Sequence, residues 1–200
     1  IGGFRSLVAI VYDLRAHQAF REKDWASVEK FRRVTTSLQP RFSKHWDLAA
    51  WDMAWNAYAF YRSEAEQSED EIESWQIENI IMPRYLDKGM EFAKQGAEWI
   101  PESYRLPMVI ADIYSQKYDD HVNAAEWYLK ASGAADAPPY IYRAHATQLA
   151  KCEGKEEEAE TLKKQLLGFT ASGVFDNYRS SENLEVYTQF IILDIDKLSE

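Results

Sequence analysis

The sequence has almost none of the residue patterns on which disulfides, metal centres and catalytic sites depend. Cys152 is the single cysteine among 200 residues, so no intrachain disulfide can form, and we expect its thiol to be buried and inert. None of the four histidines lies in an H-E-x-x-H motif or follows a glutamate by three residues. The adjacent Asp119, Asp120 and His121 are typical of a turn between helices. We therefore expect no catalytic activity, no metal and no cofactor.

Long apolar runs and excess positive charge are also missing. The longest apolar run, Leu7 to Tyr12, is far shorter than the ~20 residues that span a bilayer, so no membrane insertion is expected within this segment. The net charge of -10 opposes nucleic acid and anionic lipid as main partners. The chain begins at Ile1 rather than at a methionine, which suggests a processed or truncated product. A longer parent chain that is exported or tethered to a membrane is one alternative, and the sequence predicts no compartment.

Helical segments separated by helix breakers make up most of the chain. With 46% hydrophobic residues, the chain is expected to form one domain with a sizeable core. A first helix continues to about Arg21, and residues Glu22 to Asp24 supply a turn and a cap. A second helix runs from Trp25 to Leu38, and Pro40 stops it. Apolar residues recur at helical spacing along the first helix: Leu7, Ile10, Val11, Leu14 and Ala19.

A 34-residue period links the first two segments, which indicates a repeat architecture. The corresponding residues are Tyr12, Ala16 and Ala19 in the first and Trp46, Ala50 and Met53 in the second. With Pro40 and Pro101 as closing residues, and with Ala124 to Lys130 as the best local match, the pattern resembles the tetratricopeptide repeat (TPR) family. Three residues of the first repeat depart from the family pattern: Arg15, Arg32 and Thr35.

The resemblance implies an all-α fold, a right-handed α-solenoid of stacked antiparallel helical hairpins in a single domain, 1–200. The repeats are expected at about 8–41, 43–102, 104–137 and 140–170. A capping helix is expected at about 181–199, where Leu184, Tyr187, Ile191, Ile195 and Leu198 form one apolar stripe. This helix either covers the last repeat or docks on another subunit.

An insert at about 60–85 interrupts the second repeat, since Pro40 and Pro101 lie 61 residues apart. Residues 63–80 include seven acidic side chains and no basic one. The simpler interpretation is a solvated acidic hairpin made by lengthened helices, and the alternative is a dedicated binding element. Ile72, Trp75 and Ile80 indicate that part of the insert packs.

By analogy with the family, side chains of the inner helices line a concave groove. The corresponding residues are Asp13, His17, Arg21, Asp47, Trp51, Trp55, Arg105, Asp112, Gln116, Gln148 and Lys151. Trp51, Trp55 and Tyr58 form a second apolar stripe on their helix; either this stripe is buried, which is the simpler interpretation, or it is an exposed aromatic groove. The clamp with which some relatives capture acidic peptide termini is not matched, because only the Arg105 slot holds a basic residue.

These patterns predict a non-enzymatic scaffold or adaptor that binds a protein or peptide segment in its groove. The alternative is a structural subunit that associates with itself through the C-terminal helix or the acidic insert. The sequence identifies neither the partner nor the oligomeric state.

Overall fold

A computed structural model describes residues 2–171, which consist of helices joined by short turns, with no strand among them. The helices are α1 (Gly2–Arg21), α2 (Trp25–Leu38), α3 (Ser43–Trp51), α4 (Tyr58–Gln67), α5 (Glu71–Gln76), α6 (Met82–Trp99), α7 (Arg105–Lys117), α8 (His121–Ser132), α9 (Pro139–Leu149) and α10 (Glu156–Ala171). Two π-helical segments join helices without a break, π1 (Asp52–Ala57) between α3 and α4 and π2 (Ile77–Ile81) between α5 and α6.

Aspartate caps determine where the second helix of two hairpins begins. The side chain of Asp24 accepts a hydrogen bond from the Ser27 amide at 3.0 Å and caps α2, whose observed bounds are the predicted ones. Asp120 caps α8 in the same way through the Asn123 amide. Asp119 has a φ of 53° in the turn before it, so the prediction of a turn at this site is confirmed.

The helices form antiparallel hairpins that pack one on the next, which is the all-α helical-repeat architecture expected from the sequence. One continuous core extends across the first three hairpins through Trp25, Trp46, Phe92 and Leu106. Small residues bring the helices together: a Cβ added at Gly89 would lie 2.6 Å from the Cβ of Ala54. No helix in the described range is both long enough and apolar enough to cross a membrane.

Two apolar rows that the sequence pattern places on helices are exposed. In α1, Ala9, Ala16 and Ala19 form the buried face, and the larger Leu7, Ile10, Val11 and Leu14 lie in solvent. The expectation that Ile72, Trp75 and Ile80 pack is wrong, since these side chains are 69%, 58% and 55% exposed. Ala65, Ile77 and Met82 supply the small core of the insert instead. The predicted capping helix at 181–199 lies outside the described residues.

Candidate protein-interaction surface

Two stacked indoles lie at the centre of the predicted groove residues. Trp51, at the end of α3, and Trp55, in π1, have ring centroids 4.5 Å apart and planes only 9° from parallel. Trp51 is 46% exposed, so the interpretation in which the whole stripe is buried is wrong for this residue. Trp55 is half-buried and packs against the core. Trp51 therefore has one open aromatic face, and Trp55, which packs against the core, supports the other face of that ring.

Side chains of α7 hold the stack in place. The Nε1 of Trp55 donates a hydrogen bond to the Oε1 of Gln116 at 3.1 Å. The Nζ of Lys117 lies 4.5 Å from the ring centroid of Tyr58 and 5.7 Å from that of Trp55, within cation–π range. Burial, and then the nearby charge of Arg62, lower the pKa of the Lys117 ammonium group.

An ion pair joins α3 to α7 one turn before the stack. The Nε of Arg105 donates to the Oδ2 of Asp47 at 2.7 Å. Burial by itself lowers the pKa of Arg105, but the hydrogen bond and charge of Asp47 outweigh it and the net shift is upward. Asp47 and Arg105 therefore bind each other in the free protein, and a ligand that uses either one has to compete with this bond.

Asp112 faces the interior of its own hairpin. Its carboxylate accepts a hydrogen bond from the hydroxyl of Tyr128 on α8, and burial raises its pKa despite that bond. Burial also raises the pKa of Tyr128, and the adjacent Asp112 charge adds to the rise. This pair joins the two helices of the third hairpin and leaves little of Asp112 for a ligand.

Asp13 belongs to a network that the sequence pattern did not reveal. The guanidinium of Arg32, only 2% exposed, donates from Nε to the Oδ2 of Asp52 at 2.8 Å and from Nη1 to Asp13. Asn56 donates to the other oxygen of Asp52 at 3.2 Å. Arg32 departs from the family pattern, and a basic residue in a normally apolar slot is the one sequence signal that could have predicted a buried ion pair.

The remaining groove candidates are spread along the molecule. His17 is exposed, and its Nδ1 lies 2.9 Å from the backbone oxygen of Asp13. Arg21 and Lys151 are exposed. Gln148 is buried, with its Oε1 2.9 Å from the Nδ1 of His121. The structure thus brings together Asp47 with Arg105 and Trp51 with Trp55 and Gln116, and the sequence analysis missed Lys117 beside them.

Matches to known proteins cover either a short part of the chain or most of it at low identity. A family model described as BT4734-like, N-terminal domain, matches residues 161–200, a fifth of the chain, which does not establish a family for the whole. No curated protein matches the sequence. Among solved structures, a thermophilic TPR protein of Thermus thermophilus superimposes with a TM-score of 0.47 and 15% identity over 89% of this chain and 78% of that one. At that score the assignment of the fold depends on this chain's own helix packing.

Proposed function

We propose that this protein is a non-enzymatic interaction module that binds a protein segment on the surface formed by α3, π1 and α7. The exposed Trp51 ring stacked on Trp55 is the observation that carries the proposal. Large aromatic side chains that are rigid before binding lose little entropy on complex formation, and they dominate the energetics of many interfaces. Gln116 and Lys117 supply that rigidity.

The polar groups around the stack orient the bound segment. Asp47 and Arg105 lie one turn before Trp51 and are bound to each other, so they offer an acceptor and a fork of donors to a segment that displaces this bond. The exposed His17, Arg21 and Lys151 extend the proposed surface at its two ends, whereas Gln148 is buried against His121. Asp13 and Asp112 support it from beneath through Arg32 and Tyr128.

Phage display of a random peptide library tests this proposal. The method does not require the partner to be identified first. Peptides selected on the wild-type protein should bind Trp51→Ala at least about tenfold more weakly. Trp99→Ala removes an equally exposed indole from the end of α6 and should leave binding unchanged. Arg21→Ala tests the outer end of the surface. Unchanged affinity for Trp51→Ala, with an unaltered far-UV circular dichroism spectrum, would refute the proposal.

A second function, self-association through the acidic insert, is favoured by a separate observation. The insert exposes Ile72, Trp75 and Ile80 together, and an exposed apolar row of this kind is typical of a protein contact. Association through the C-terminal helix involves residues outside the described range and stays a prediction. Light scattering over a range of protein concentrations tests both forms of self-association.

A further inference from the structure

The exposed row of the insert is continuous because of π2. Ile72 and Trp75 lie three residues apart on α5 and share a face. In an α-helix Ile80 would lie well away from that face, but a π turn closes from residue i to i+5, as in the hydrogen bond from the Met82 amide to the Ile77 oxygen. The wider turn rotates Ile80 back towards Trp75. The three side chains therefore form one row about 12 Å long, at 1.5 Å per residue.

The exposed row of α1 has the spacing of a helix–helix contact. Phe4, Leu7, Val11 and Leu14 follow one another at intervals of three, four and three residues, the spacing of a coiled-coil seam. Their side chains are between 45% and 72% exposed. The row is about 15 Å long by the same rise per residue, so it is long enough to cover the insert row.

The two rows carry opposite charge. Arg15 and Arg21 are exposed beside the α1 row, four residues after Val11 and seven after Leu14, and the single acidic residue of α1, Asp13, is bound to Arg32. The insert row is bordered by five exposed acidic residues: Glu69, Asp70, Glu71, Glu73 and Glu78. Two basic residues flank the acidic stretch: Arg62, which forms an ion pair with Glu66 on α4, and Arg84, which is exposed on α6 four residues after Ile80. In a chain with a net charge of -10, α1 thus has a net positive charge that complements the insert.

We propose that the α1 row of one copy packs against the α5–π2 row of another. This inference rests on the self-association proposed above and names both surfaces that it uses. Because the two surfaces differ, the contact is heterologous: a pair still has one free insert row on one copy and one free α1 row on the other, so copies add head to tail. Apolar contact provides the affinity, and the opposite charges select the pairing over contact between two like rows.

Sedimentation velocity over a concentration series tests the contact directly. The average mass of the wild-type protein should rise with concentration. Trp75→Ala and Leu7→Glu should each weaken association at least about tenfold, the second by placing a negative charge opposite the acidic insert. The controls Trp99→Ala and Leu129→Glu change equally exposed side chains on α6 and α8 and should associate as the wild type does.

Mixing the two weakened variants separates this contact from the alternatives. Trp75→Ala retains the α1 row and Leu7→Glu retains the insert row, so an equimolar mixture should form a one-to-one complex that neither forms alone. If Trp75→Ala abolishes association and Leu7→Glu does not, the pairing is overturned, and the result supports contact between two insert rows instead. A wild-type protein that stays monomeric up to millimolar concentration would overturn both the pairing and self-association through the insert. Failure of the mixture to associate would also overturn the pairing.

Discussion

Substitution of Arg32 should be the most damaging change of a single charged residue in the first two hairpins. Arg32 is almost fully buried and joins three elements, since it lies on α2 and donates to Asp13 on α1 and to Asp52 in π1. Asp52 is buried as well, whereas Asp13 is about a third exposed. In Arg32→Met the apolar part of the side chain is replaced but Asp52 loses its charge partner.

The expected cost follows from what remains around Asp52. Removing one partner of a buried ion pair destabilises proteins by about 3–5 kcal/mol, because the other charge stays buried without compensation. Asn56 still donates to Asp52, and Asp13 is solvated enough to lose little, so we expect the lower end, about 3 kcal/mol. Arg32→Lys keeps a charge, but one ammonium group cannot reproduce the two-armed contact, so its cost should be intermediate.

Urea unfolding followed by circular dichroism at 222 nm measures these free energies. The double variant Arg32→Met, Asp52→Leu provides the control, because an apolar replacement of both partners of a buried pair is often close to neutral. The double variant should therefore be more stable than Arg32→Met alone. If Arg32→Met costs less than about 1 kcal/mol, or if the double variant is less stable than either single one, the ion pair does not have the role assigned to it.

Three further predictions concern the packing and the buried titratable groups. Gly89→Ala should cost about 1–3 kcal/mol in urea unfolding, because the new Cβ meets Ala54, whereas Gly3→Ala, with nothing within 4 Å, should be close to neutral; equal effects would contradict the close approach of the two helices. Cys152 should react with a thiol reagent many times more slowly in the native protein than in urea, because it is buried and burial raises its pKa; equal rates would show an accessible thiol. Burial lowers the pKa of both His45 and His145, so the unfolded chain binds protons first as pH falls: the histidines' contribution to stability is complete above about pH 6.5 and declines below it. Denaturation midpoints measured from pH 7 to pH 5 should fall less in a variant with both histidines replaced by glutamine.

The sequence predicted the helices well because their signals are local. Proline, a capping aspartate and helical spacing lie within a few residues of the boundary that they determine, and the bounds of α2 were correct for that reason. The requirement for a small residue at Gly89 and Gly96 is not local in this sense, since a Cβ at either position would meet atoms of another helix.

The exposure of the apolar rows was not predictable in the same way. Spacing shows that Leu7 and Leu14, or Ile72 and Trp75, share a face, but whether a neighbour covers that face depends on the order of the helices in space. The burial of Arg32 depends equally on α1 and π1, which lie many residues away in sequence. The π segments leave no recognised pattern in a single sequence, so the continuity of the insert row could not be predicted.

The π1 segment accommodates one extra residue at the base of the acidic hairpin. A π turn takes in one residue more than an α turn, and each residue of an α-helix corresponds to a rotation of about 100°. The wider turn therefore takes up the rotation of one additional residue, so the side chains of α4 keep nearly the headings that they would have after a regular α-helix one residue shorter. The same extra residue inside α4 would instead turn every later side chain of that helix by about 100°.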